Sequence, residues 1–449
     1  MARRHGYALL AALVAIVVVI SAAIYVGFSG VLRDDESSVQ AGGAHPHGSA
    51  APASTGTWVG SWSASPAGAE PGTEAGGTSG TESGGGFFGR SIRNIVHTSI
   101  GGTGARITLS NLYGQQPLSI THASVAVASA PNNPTALAGT VRRLTFSGNT
   151  SVVIPAGQQV ISDAARLAVP RDADMLVTTY SPTPSGPVTY HPQARQMSYV
   201  AQGDRTEDPS GAQYTEQSPY WRYLTALDVL SHEAEGTVVV LGDSLTDGIT
   251  STMGANVRWP DLLADRLRTE SGAPRYGVVN QGISGNRVLS DGLGRPANNP
   301  SGLSRFDRDV LGRSGVRAVV IDLGINDILR NPQQTDPDQI ATGLRELVRQ
   351  AHTRGLRVIG ATLMPFQGHR GYKPHLEAVR QGVNAAIRGG EVYDSYVDFD
   401  KALRDPYNPR KLLPRYDSGD HLHPSDAGYE RMAESFDLTS LKGSTGAEL

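Results

Sequence analysis

The run Val238-Val239-Val240-Leu241 leads straight into Gly242-Asp243-Ser244, which puts a serine hydroxyl at the end of an apolar strand. Open α/β sheets keep their ligand crevices at the carboxyl ends of their strands. Far downstream, Asp420-His421-Leu422-His423-Pro424 supplies imidazoles and a carboxylate. A serine hydroxyl is a poor nucleophile until a base takes its proton. Imidazole suits that task because it titrates near neutrality. An acid on its other nitrogen holds the tautomer and stabilises the imidazolium. Attack on a carbonyl places negative charge on its oxygen, and one donor aimed at that charge contributes about 3 kcal/mol. Two more segments that follow predicted strands offer such donors: Asn280-Gln281-Gly282-Ile283-Ser284-Gly285-Asn286-Arg287 and Leu323-Gly324-Ile325-Asn326-Asp327.

Taken singly, each residue also has a plain structural reading. Ser244 can cap a helix, Gly285 can serve a turn and Asn326 an Asx-turn. His421 competes with His423 as base, and Asp417 with Asp420 as acid. Asp243 and Asp327 read as turn and supporting residues, and Arg287 as a substrate contact or a solvated arginine.

Together the four segments, by their order and spacing, resemble the SGNH or GDSL family of esterases and lipases over residues 235–441. The resemblance implies the roles. Ser244 aligns with the nucleophile and, through its backbone N–H, with one oxyanion donor. Gly285 and Asn326 align with the other two oxyanion donors, His423 with the general base, and Asp420 with its orienting acid. It also implies an SGNH-type, flavodoxin-like three-layer α/β sandwich around a parallel sheet. The reaction implied is hydrolysis of a carboxylic ester through an acyl-enzyme, with no cofactor and no metal. The G-x-S-x-G elbow of another hydrolase class is absent. The substrate stays open among small-molecule, glycan and lipid esters. The alternatives are an O-acyltransferase acting on glycans and a glycan-binding protein with an inactive hydrolase domain. Residues 235–441 carry no long hydrophobic lid, which favours short acyl groups.

The elements that must position these residues follow from periodicity. After Glu235, strands are predicted at 237–241, 276–280, 317–323, 357–363 and 393–398, alternating with helices, the pattern of a parallel sheet. One helix carries Ile340, Leu344, Leu347, Val348 and Ala351 on one face, after an Asp-Pro start and before Gly355. A last helix starts near Pro424-Ser425 and carries Tyr429, Met432 and Phe436.

Residues 57–232 read instead as a β-sandwich or jelly-roll-like domain, with strands at 92–100, 105–112, 119–127, 152–154 and 174–180. Residues 67–86, rich in Gly, Ser and Glu, read as a long surface loop within it. Trp58, Trp62, Tyr220 and Trp221 suggest core packing or, alternatively, a sugar-binding face. The segments Trp58–Pro66 and Met197–Asp204 resemble parts of secreted actinobacterial members of the family. The first domain is accordingly expected to wall the active-site cleft or pack against it, with glycan binding as the alternative.

The N-terminus points outward. Arg3-Arg4 precede an apolar run to about Phe28, read as a signal anchor or a signal peptide (1–28) that reaches the membrane if uncleaved. Residues 29–56 form a flexible tether and 442–449 a tail. The expected location is the extracellular side of the cell membrane, or secretion. The 449 residues contain no cysteine, which excludes disulfides and thiolate metal sites, and a net charge of -3 gives no reason to expect nucleic acid.

Overall fold

The computed structural model describes residues 56–71 and 87–442, all within one compact unit, Ser54–Leu449. The expected anchor, nearly all of the tether and the tail lie outside the described residues. Among the described residues, no helix is long and apolar enough to cross a membrane.

The N-terminal region is built from β1 (Thr57–Ser63), β2 (Arg90–His97), β3 (Gly102–Ser110), β4 (His122–Val127), β5 (Asp174–Ser181), β6 (Ser198–Gln202) and β7 (Leu224–Ser231). One antiparallel sheet runs β1-β7-β3 and continues into Gln159–Ile161 and Ala165–Val169. The other has β6-β2-β5-β4 at its centre. Their facing side chains, among them Ile107, Leu109, Val125, Val177 and Leu227, make a separate apolar core. This is the expected sandwich-like region. Strand β7 is not among the individually predicted strands. It is buried along almost its whole length, so it lacks the polar–apolar alternation that marks a half-exposed strand.

Two expectations here need revision. The start of the supposed surface loop, residues 67–70, is packed into the fold. The Ala67 N–H donates to the Tyr190 carbonyl at 3.0 Å and the Glu70 N–H to the Val188 carbonyl at 2.8 Å. Both Glu70 oxygens accept from the buried Arg222 fork at 2.6 Å, geometry that lets an ion pair stay out of water. The segment predicted as one strand over 119–127 divides at Thr121 into Leu118–Ile120 and β4, which pair with different partners.

The C-terminal region contains β8 (Gly236–Gly242), α1 (Ser244–Asp247), α2 (Trp259–Thr269), β9 (Tyr276–Gly282), α3 (Gly302–Phe306), β10 (Val316–Asp322), α4 (Ile325–Leu329), α5 (Pro337–His352), β11 (Arg357–Ala361), α6 (Pro374–Arg388), β12 (Ser395–Val397), α7 (Phe399–Leu403) and α8 (Asp426–Glu434). Its sheet is wholly parallel, in the order β9-β8-β10-β11-β12. The order reverses after β9. Parallel neighbours need crossover connections, here made through helices, and α2 packs with α8 while α5 packs with α6. This is the expected flavodoxin-like three-layer arrangement.

Helix α5 shows why the sequence was readable. The Asp336 carboxylate caps it by accepting from the Asp338 N–H, Pro337 starts it, and Ile340, Leu344, Leu347 and Ala351 are buried. Helix α8 begins at its Ser425 cap and ends at Glu434, so Phe436 is buried from just beyond the helix.

The two layers meet through backbone. A Cβ on Gly277 of β9 would lie 2.2 Å from the Gly60 carbonyl oxygen of β1, so this approach requires glycine. The Gly60 N–H donates to Thr237 Oγ1 at 2.9 Å, and the Val278 N–H to Ser99 Oγ at 3.0 Å.

Candidate active site

The carboxyl ends of β8, β9 and β10 converge where the strand order reverses. Chain leaving β8 turns at Asp243 and begins the one-turn helix α1 with Ser244. Asp243 is the cap, its carboxylate accepting the Leu245 N–H at 3.0 Å, so Ser244 is the first helical residue and its hydroxyl is free of that duty. That hydroxyl lies 2.9 Å from His423 Nε2.

His423 comes from the loop before α8, and the loop folds around Asp420. One Asp420 oxygen accepts the backbone N–H groups of Leu422 (2.9 Å) and His423 (2.8 Å). The other lies 2.6 Å from His423 Nδ1. Burial raises the Asp420 carboxyl, but the imidazole and those two N–H groups outweigh it and pull the group down to about 2. The neighbouring pair is separate. His421 Nδ1 lies 2.6 Å from Asp417 and the ring is half exposed, so neither residue enters the chain that ends at Ser244.

Gly285 and Asn326 flank the serine from the loops after β9 and β10. Gly285 has φ +77, and a Cβ there would lie 2.3 Å from Arg330 Nη2. Its N–H has no acceptor among the described residues. Asn326 is buried in α4. Arg330 has only donors, so its Nε–H meets Asn326 Oδ1, at 3.1 Å. The amide nitrogen therefore faces Asp243 Oδ2, at 2.9 Å, and keeps a second N–H for another acceptor. Burial, then the nearby Asp322, raises Asp243 well above the ordinary carboxyl range. Burial likewise raises Asp322, which accepts from Thr246, to about 6. Asp327 joins the two loops, since its oxygens accept the N–H groups of Val288 (2.8 Å) and Leu289 (3.0 Å).

Several residues that hold this frame gave no sequence signal. Arg305 of α3 is fully buried and donates to the carbonyls of Gly242 (2.9 Å) and Gln281 (2.7 Å), to Asn286 Oδ1 (3.0 Å) and to Ser65 Oγ (3.0 Å). One guanidinium thus braces the ends of β8 and β9, the Gly285 loop and the sandwich. His191 reaches in from the sandwich. Its Nδ1 lies 2.7 Å from the Ser65 carbonyl and its Nε2 2.9 Å from Asp247 Oδ1. Both partners are acceptors, so both nitrogens carry protons and the ring is an imidazolium. Burial opposes that charge, but Asp247 and the carbonyl win and raise the group. The other Asp247 oxygen accepts from Ser284, through its N–H at 2.9 Å and its hydroxyl at 2.6 Å, next to Gly285. Arg305 and His191 are distant in sequence from the site and carry no motif, whereas Ser65 and Ser284 lay within segments already singled out.

The aromatic candidates divide. Trp62 and Trp221 are buried edge to face at 4.8 Å, which is core packing. Trp58 lies beneath Arg106, and Tyr220 packs edge-on against Tyr190.

Residues 240–431 match the model of the GDSL-like lipase/acylhydrolase family. No curated protein matches this sequence. Among solved structures, the chain is similar to an acetylxylan esterase from Geobacillus stearothermophilus. The two share 23% identity, the match covers 47% of this chain and 95% of that one, and the TM-score is 0.35. It is also similar to a GDSL-like lipase from Bacteroides thetaiotaomicron, at 22% identity, 44% and 85% coverage and a TM-score of 0.33. The C-terminal region is an SGNH-type hydrolase domain that matches the GDSL-like lipase/acylhydrolase family. Its class of activity is carboxylic ester hydrolysis.

Proposed function

We propose that the chain is an exported serine esterase for short acyl groups, working through Ser244, His423 and Asp420. The observation that carries this reading is the unbroken chain from Asp420 to His423 Nδ1 (2.6 Å) and from His423 Nε2 to Ser244 Oγ (2.9 Å). His423 Nε2 takes the hydroxyl proton as Ser244 Oγ bonds to the ester carbonyl carbon. The oxyanion is met by the N–H groups of Ser244 and Gly285 and by the second N–H of the Asn326 amide. Collapse breaks the ester bond, and the leaving alcohol takes the proton from His423. Water, deprotonated by the same imidazole, then releases the acid and restores Ser244. Asp420 stays ionised throughout, held low by its N–H partners, and keeps the imidazole turned toward Ser244.

The cleft beside Gly285 has a polar wall, with Ser290, Asn298 and two arginines, which suits a short acyl group better than a lipid chain. Export is supported by the apolar run behind Arg3-Arg4. The test is hydrolysis of 4-nitrophenyl esters from acetyl to palmitoyl by the full chain and its Ser244→Ala variant. The expected result is turnover highest at short chains and lost in the variant. A folded parent protein inert toward every ester would overturn the reading. Cell fractionation that leaves the chain in the cytoplasm would overturn export.

A further inference from the structure

The ester-cleaving groups leave one feature beside them without a role. A cleft of about 480 Å³ opens at Gly285, walled by Arg287, Ser290, Asn298, Arg330 and Asn331. No carboxylate lines it. Among the described residues, neither arginine forms an ion pair with an acid. Arg330 gives its Nε–H to Asn326 Oδ1, and its Nη2 sits against Gly285. Arg287 reaches only backbone carbonyls, of Asn331 at 3.3 Å and Asp291 at 3.1 Å. The two acids nearest to Arg287 are committed elsewhere. Asp291 accepts the Ser301 N–H at 2.7 Å, and Asp327 holds the Val288 and Leu289 N–H groups. Two guanidiniums therefore face a polar cleft with donor capacity to spare and no carboxylate in direct ion pair with either, although the charges of Asp291 and Asp327 are felt at Arg287.

A guanidinium is weakly hydrated, and its flat fork matches a carboxylate. A wall of this kind repels another cation, and its one large apolar side chain is the exposed Leu293. We propose that the cleft receives a carboxylate borne by the substrate, held by Arg287 and Arg330 beside the oxyanion position, so that anionic esters are preferred over neutral ones. This rests on the esterase reading in that it takes Gly285 as an oxyanion donor. The carboxylate can sit on either side of the scissile bond, on the acyl part, as in a dicarboxylic half-ester, or on the alcohol, as in an acylated acidic sugar.

Two matched pairs separate those sources. Mono-4-nitrophenyl glutarate against 4-nitrophenyl butyrate puts the charge on the acyl part. Acetylated glucuronic acid against acetylated glucose, followed by acetate release, puts it on the alcohol. With the full chain, kcat/KM is expected to favour the anionic member of one pair by about tenfold or more, the scale of one charge-assisted hydrogen bond. The ratio should fall toward one in Arg287→Gln, drop below one in Arg287→Glu, and weaken with added salt. Arg330 is unsuitable as the test position because it also holds Asn326.

Equal rates within both pairs, with a ratio unmoved by Arg287→Glu, would overturn the proposal and leave the esterase reading intact. Should the parent protein cleave none of the four esters, the esterase reading falls. The cleft is then judged by calorimetric titration of glutarate and glucuronate into the Ser244→Ala protein. Binding that is lost in the double variant with Arg287→Glu supports the carboxylate site. No binding, or binding indifferent to that change, overturns it.

Discussion

Asn326 can donate to an oxyanion only if its amide nitrogen faces the serine, and two neighbours decide that. Arg330 has nothing but donors and claims the amide oxygen; Asp243 receives the nitrogen. Removing the amide in Asn326→Ala should lower kcat by about 10²–10³ with little change in KM, since the interaction matters chiefly in the transition state. An unchanged kcat would exclude Asn326 from the oxyanion site. Asp420→Asn should lower kcat by up to about 10⁴ by favouring the wrong imidazole tautomer, read in steady-state kinetics beside a circular dichroism spectrum that matches the parent. The residue types and their spacing were legible in the sequence because chemistry restricts them. The orientation of the Asn326 amide was not, because it depends on an arginine whose relevance no pattern announces.

At the scale of elements, the caps of α5 and α8 follow local rules, and those were readable. Helix α5 showed its buried stripe, its Asp-Pro start and its closing glycine in the sequence. Leu344 is fully buried there, so Leu344→Ala should destabilise the fold by about 2–5 kcal/mol in denaturant unfolding. A loss under 1 kcal/mol would mean that the site repacks. Strand β7 was not individually legible, because burial on both sides erased its alternation. Arg305 was missed for a related reason, as it lies in a five-residue helix and its partners come from four separate segments. Arg305→Met should cost about 3–5 kcal/mol by leaving buried acceptors unpaired. It should also lower kcat, because the Gly285 loop loses its brace. Unchanged unfolding with unchanged kcat would refute the brace.

At the scale of the whole molecule, the sandwich takes part in the site through His191. This imidazolium faces Asp247, the Ser65 carbonyl and Trp221, with the positive charge of Arg258 opposing it. Its pKa is raised on folding. Its contribution to stability is therefore complete below the ordinary imidazole range and is lost as pH rises through the raised value. His191→Gln should lower stability most at neutral and acidic pH, and the gap from the parent should narrow in alkali. The check is a pair of thermal unfolding curves from pH 6 to 10. A gap constant with pH would refute the ion pair. The variant should also lose kcat more than KM, since Asp247 would hold Ser284 and the adjoining Gly285 less firmly.

The division of the chain into a strand-rich region and an alternating α/β region came from the sequence alone, because hydrophobic periodicity is a local property. So did the candidate nucleophile, base and acid, because those roles admit few residue types and the order of the four segments resembles one family. The resemblance implied Asp420 for His423, but only the tertiary structure gave Asp417 a partner of its own in His421, with a left-handed turn at His421 separating the two pairs. It alone joined His191 to Asp247 and Arg305 to Ser65, contacts between segments far apart along the chain. The path of the backbone decides such contacts, and no local pattern encodes it.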